Sequence, residues 1–373
     1  MRRKLCLGFL AFAAPQICAG ADLSAYLPTL SDFAAAPAAP TRPTTPVNLT
    51  LYWENDGGPA KKLDSHDRHY TAGIAISLAA RPAWAKDVAA WIPSFYQEFD
   101  PRRDDTRFAV GLIAVQDIYT PEHYQQSTPD PTDWPYGGFL YAGFYLQRAR
   151  YAAAPHGTEA DARTLASYDH LELDLGMVGP SSLARESQEL VHGLFNYTRP
   201  KGWNYQLHDE PSLDVKYVHK WRLSLEPPSA FLPTAQAIPD VGLIAGTVHR
   251  ELDLGSTFRI VWGPPPDDFG PTRIDLPGAF TGAYTPPFNL ALFARPALRL
   301  VEHNTLLQGN TWRSSDITQQ IEPFVGEFQF GVTAQFFSHL EVGYSWTFKT
   351  REFKQQSGSD SFGAWTISAV WAF

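Results

Sequence analysis

The chain has 373 residues, a formal charge of −9 and an aromatic content of 14%. An acidic balance of this kind argues against a general nucleic-acid binder, which needs a basic footprint. Both cysteines, Cys6 and Cys18, stand near the start, so the sequence after them can build neither a disulfide nor a thiolate metal site.

Arg2, Arg3 and Lys4, an apolar stretch from Leu5 to Ala14, and the small residues Ala19-Gly20-Ala21 predict a secretory signal peptide over residues 1–21. A lipoprotein reading through Cys18 is weaker, because Ile17 is a poor fit for the small residue expected before a lipidated Cys. Without the three basic residues of the signal the charge becomes −12. Residues 22–47, with the run AAAPAAPTRPTTP, read as a Pro/Ala-rich extended leader with nothing to bury. A β-barrel domain is expected over 48–373. No later segment offers the eighteen or so consecutive apolar residues of a transmembrane helix. Export, missing cysteines, abundant aromatics and short apolar runs together point to an outer-membrane β-barrel. A secreted sandwich or solenoid is the alternative.

Twelve strands are predicted, near 48–55, 68–80, 106–119, 137–152, 163–178, 210–225, 239–251, 253–264, 289–303, 321–336, 338–350 and 361–373. The fold class is therefore all-β, a transmembrane antiparallel β-barrel with one short helix in an extracellular loop. Alternation is clearest over His339–Lys349, where Leu340, Val342, Tyr344, Trp346 and Phe348 are apolar and the residues between them are polar or Gly. Lipid outside and a polar lumen require that pattern. The aromatic Phe373 resembles the terminal signature of outer-membrane proteins. If the first strand runs outward, connections 1–2, 3–4 and 5–6 open on the external rim. Connections 2–3 (81–105) and 8–9 (265–288) are long for periplasmic turns.

The rim carries the chemistry. In connection 5–6, Pro180, Ser181 and Ser182 are start signals for a helix. Its apolar stripe is Leu183, Leu190, Val191 and Leu194, interrupted at Ser187, with Arg185, Gln188 and His192 opposite. Gln188 and His192 are four residues apart and share one helical face. One face can meet acyl chains or membrane while the other meets the barrel wall. Glu54, Asn55 and Asp56 end the first strand, and Asp67, Arg68, His69, Tyr70 and Thr71 open the second. Paired strand ends bring Asn55, Asp56 and Thr71 into one polar cluster. An ordinary amphipathic loop helix and a plain hairpin turn are the bland readings of these stretches taken singly.

Together they resemble the outer-membrane lipid A 3′-O-deacylase family. The resemblance rests on Asn55-Asp56, DRHYTAG (67–73), YTP (119–121) with DWPYGG (133–138), and GPSSLARESQELVH followed by KGWNYQLHDEP within 179–211. The family implies a twelve-stranded barrel in the outer membrane that hydrolyses an acyl ester of lipid A in lipopolysaccharide, with Ca²⁺ dependence. By position, His192 would be the general base on water and Gln188 would orient water or substrate. Asn55 and Thr71 would complete the site, and Asp56 would hold the cation. An imidazole suits proton transfer near neutral pH, and hard oxygen ligands suit Ca²⁺. Arg68, Arg199 and Lys201 are candidate contacts for the phosphorylated substrate. His69 stands where the family pattern has Tyr, Ala72 where it has Asn, Trp134 where it has Arg and Gly137 where it has Ala. Losing that Arg removes a phosphate-binding fork. A phospholipase with a Ser-His pair and a non-enzymatic pore or adhesin are the competing functions.

Overall fold

The computed structural model describes residues 46–56, 67–89, 92, 105–151, 165–225, 232–278 and 287–372. The expected signal peptide and nearly all of the expected leader lie outside them. Twelve antiparallel strands form a closed barrel in which each strand pairs with its sequence neighbours and the last pairs with the first. They are β1 Pro46–Asn55, β2 His69–Ala80, β3 Asp105–Thr120, β4 Gly137–Tyr151, β5 Leu165–Val178, β6 Glu210–Leu225, β7 Thr234–Gly246, β8 His249–Trp262, β9 Phe288–Asn304, β10 Phe324–Phe336, β11 Leu340–Lys349 and β12 Asp360–Ala372. Closure leaves no open sheet edge, which a spanning sheet in lipid cannot tolerate.

Two expectations need correction. β1 starts inside the predicted leader, at Pro46, which pairs with Ala372; Pro is tolerated as a first strand residue. β7 and β8 both start earlier than predicted, and they turn at Thr247-Val248 rather than near residue 252. Pro239 is the reason, since it looks like a strand boundary. It sits inside β7, where the β6–β7 ladder skips from Lys220–Asp240 to Leu223–Ala237. A missing ladder bond there removes the cost of a residue with no N–H.

Outward-facing Leu112, Phe144, Leu173, Leu175 and Leu213 are exposed in an apolar belt, while inward positions are largely polar and buried. Connection 8–9 is long because residues 263–278 fold into the lumen. There Thr272 Oγ1 meets Tyr52 Oη at 3.3 Å, Lys216 Nζ donates to the Ile274 carbonyl at 3.4 Å, and Arg273 pairs with Asp275 at 2.7 Å and with Glu327. Connection 2–3 carries the short helix α1, Ala85–Ala89, packed near Val110 and Leu146.

Candidate functional site

The site lies on the outer surface of the barrel wall, at the external ends of β3 and β4. Along β3, Ile113, Val115 and Asp117 face the lumen, so Gln116 and Ile118 face out. Gln116 Nε2 donates to the Ser182 carbonyl at 2.6 Å. Ile118 packs with Tyr124, Tyr136, Ala184 and Trp203. Gly138, also facing out, permits the contact: a Cβ there would sit 2.1 Å from Ser182 Oγ and 2.2 Å from Ala184 Cβ.

Connection 5–6 reaches this wall through a 3₁₀ turn at Pro180–Ser182 and then helix α2, Ala184–Phe195. The serines do not cap the helix as expected. Leu183 takes the cap position in the left-handed region at φ 60°, with no side-chain cap, while Ser181 donates through N and Oγ to the Asp209 carboxylate. Ser182 Oγ donates to the Gly179 carbonyl. Neither hydroxyl is bonded to His192, which removes the basis for a Ser-His pair. Ala184, Gln188 and His192 are buried against the protein. The predicted apolar stripe faces away from it, with Leu183, Leu190, Val191 and Leu194 all 40% exposed or more.

The i, i+4 pair converges on one carboxylate. Asp67 Oδ2 accepts from Gln188 Nε2 at 2.6 Å and lies 2.8 Å from His192 Nε2. Trp203 Nε1 donates to Gln188 Oε1 at 2.8 Å, which fixes the amide so that its NH₂ faces Asp67. His192 Nδ1 lies 2.6 Å from the Thr198 carbonyl and therefore carries a hydrogen. Tyr124 and Tyr197 hold the ring in edge contacts at 5.8 Å each. Burial disfavours the imidazolium, but the Asp67 hydrogen bond and charge and the Thr198 carbonyl outweigh it, so the pKa of His192 is raised. Asp67, the hub of this arrangement, was not among the expected site residues. Its signal was its place as the first letter of DRHYTAG.

The expected Asn55–Asp56–Thr71 cluster is present. Asn55 Nδ2 and Asp56 N both donate to the Thr71 carbonyl, at 3.1 and 3.2 Å. Thr71 Oγ1 and Thr120 Oγ1 are 2.7 Å apart. Arg68 N donates to Asp56 Oδ2, so consecutive residues tie the two halves together: Asp67 to His192, Arg68 to Asp56. The side-chain donors here are all oxygen with one buried carboxylate, a set that suits a hard cation. They fall short of the six to eight oxygens Ca²⁺ takes. Among the described residues no three His, Cys, Asp or Glu side chains converge as a metal centre.

The predicted substrate cations divide. Arg68 is occupied, pairing with Glu122 at 3.6 Å and Asp360 at 3.4 Å and donating to the Ser357 carbonyl. Arg199 and Lys201 are exposed on the segment after α2.

Two departures from the family pattern belong together. His69 is buried, with Nδ1 2.6 Å from Asp360 and Nε2 3.0 Å from Asp133. It stacks on Trp134 at 5.5 Å, and Trp134 stacks on Tyr119 at 5.3 Å. Phe353 closes edge-on against both His69 and Trp134. Trp134 is 1% exposed and lines the lumen cavity with Tyr119, Leu307 and Lys349. Its position is a cap over the lumen cavity.

A family model described as outer membrane protein LpxR matches residues 23–372 of the chain. LpxR from Salmonella typhimurium superposes with a TM-score of 0.64 at 18% identity, over 86% of this chain and 99% of that one. The β domain of the Bordetella autotransporter BrkA superposes with a TM-score of 0.38 at 7% identity, over 87% and 98%. No curated protein sequence matches. The Salmonella structure shares the fold of this barrel.

Proposed function

The chain belongs to the LpxR outer membrane protein family, and from that premise we propose that it hydrolyses an ester-linked acyl chain of lipid A, at the 3′-O position, in the outer leaflet. The observation that carries this reading is the meeting of His192, Gln188 and Asp67 on the lipid-facing side of the wall rather than in the lumen. A pore has no use for such a group there, and residues 263–278 fill part of the lumen.

His192 is the general base. Both of its ring nitrogens face acceptors, Asp67 at Nε2 and the Thr198 carbonyl at Nδ1, an arrangement that favours imidazolium. Taking a proton from water needs the neutral ring, with water in place of Asp67 at Nε2. The Thr198 bond then keeps the hydrogen on Nδ1 and aims the Nε2 lone pair at that water. Gln188, held through Oε1 by Trp203, presents N–H groups to the substrate's polar atoms. Asp56, tied to Thr71 through its backbone N–H, would hold Ca²⁺, which when bound would supply positive charge to the developing oxyanion. Asn55 braces the cluster through the Thr71 carbonyl. Arg199 and Lys201, exposed beside α2, meet the substrate phosphates.

Mass spectrometry of lipid A from cells expressing the protein tests this. The wild type should remove one acyl chain, and His192→Ala should slow its removal by about 10²–10⁴-fold. An unchanged acyl count with a folded wild-type barrel and added Ca²⁺ would sink the proposal.

A further inference from the structure

Helix α2 presents three faces rather than two. Ala184, Gln188 and His192 form the buried face. On one flank stand Arg185 and Glu189, paired at 2.9 Å, with Glu186 beside them. On the other flank stand Leu183, Leu190, Val191 and Leu194, with Leu194 64% exposed. The charged and apolar flanks lie on opposite sides of the face that grips the wall. A helix hung on a wall in this way keeps one side wet and one side apolar.

Its place on the barrel says what meets the apolar side. The helix docks against outward-facing Gln116, Ile118 and Gly138. Gln116 pairs with Ile74, Ile74 with Trp53, and Trp53 with Trp365, in one cross-strand row. Trp53 and Trp365 are exposed at 51% and 43%. Exposed Trp on the outside of a membrane barrel marks the boundary between headgroups and hydrocarbon. Beyond that row, in the direction of the lumen's other end, run the exposed Leu112, Phe144, Leu173 and Leu175 of the apolar belt. The wall on which α2 docks therefore borders a surface that already faces lipid.

We infer that α2 is an interfacial helix, its Leu183–Leu190–Val191–Leu194 stripe seated in the acyl chains of the outer leaflet and its Arg185–Glu189 side in the headgroup water. Amphipathic helices with large apolar and charged faces lie in the interface plane in this way. The site then opens sideways to the leaflet, and a lipid reaches His192 without leaving the membrane. The inference rests on the outer-membrane location and the docking of α2, not on the hydrolysis reading.

The absence of cysteine after Cys18 makes a direct test available. Leu190→Cys, Leu194→Cys and Arg185→Cys each receive a nitroxide spin label in the full barrel, reconstituted in phosphatidylcholine–phosphatidylglycerol vesicles, with Leu112→Cys as the lipid-facing reference. Labels at 190 and 194 should collide readily with oxygen and poorly with a water-soluble nickel chelate, as at 112, and the label at 185 should do the reverse. Water-type collisions at both 190 and 194 would overturn the inference. So would shielding from both reagents, which would mean that a protein surface covers the stripe. Heat-modified migration on gels confirms that each labelled barrel is folded, and the two stripe positions are independent should one variant fail. Lipid A analysis of the same variants reads the hydrolysis proposal separately.

Discussion

The lumen and the outer-wall site both bury charge, but they hold it differently. In the lumen, Arg295 faces Asp240 at 2.6 Å, Glu327 at 3.3 Å and also Asp253, so one guanidinium joins β7, β8, β9 and β10. Every partner stands on a strand whose position the ladder fixes. At the outer wall, His192, Gln188 and Asp67 come from connections, and a single docked helix brings them together. Matching charges through register makes a rigid core, whereas matching them through a docked segment makes a group that can exchange a partner for water. Only the second arrangement suits a base.

Removing the lumen's central cation should have the largest effect. Arg295→Met would leave Asp240 and Asp253 buried without it, at a cost of about 3–5 kcal/mol. Urea unfolding of the barrel should show the loss, with activity per folded molecule unchanged because the outer wall is untouched. A stable Arg295→Met barrel would mean that the lumen tolerates water where the pairing suggests it does not.

Gly138→Ala probes the other region. The new Cβ meets Ala184 Cβ at 2.2 Å, and a methyl group cannot rotate away. The start of α2 must shift, and a displacement near 1 Å in a catalytic group costs on the order of 10²-fold in rate. Gly138 has no positive φ, so the ladder itself accepts Ala and thermal stability should fall little. Equal losses of stability and activity would contradict the separation drawn between wall and site.

The same contrast explains what the sequence revealed. Alternation on a closed sheet is strict, so β3 to β6 were legible nearly to the residue. The Pro239 misreading came from a gap in pairing that only the partner strand discloses. Gln188 and His192 were legible because helical spacing puts i and i+4 together. Asp67 was not, since its role depends on a connection 121 residues away in sequence from Gln188. Read one at a time, His69 was only a departure from the family's Tyr and Trp134 a lost phosphate-binding fork. Their stack under Phe353 shows a paired change that caps the lumen, and no single-position reading couples residues 69 and 134.

The smallest expected effect sharpens the comparison most, because it isolates the exchangeable partner. Asp67→Asn removes the charge that raises the His192 pKa while leaving a group able to meet Nε2. With its pKa raised, the wild-type base becomes neutral at a higher pH than a free imidazole does, so the rise of activity with pH should be displaced upward. Asp67→Asn should move that rise to lower pH, and Asp67→Glu should move it back. Stability carries the opposite sign. A raised folded-state pKa contributes stability that is fully present below the unfolded value near 6.5 and lost as pH climbs through the folded value. Wild type should therefore lose a little stability across that window, and Asp67→Asn should lose less. A pH profile of initial rates beside urea midpoints at each pH reads both. If the rate profile stays put while the midpoints move, Asp67 holds the loop and does not tune the base.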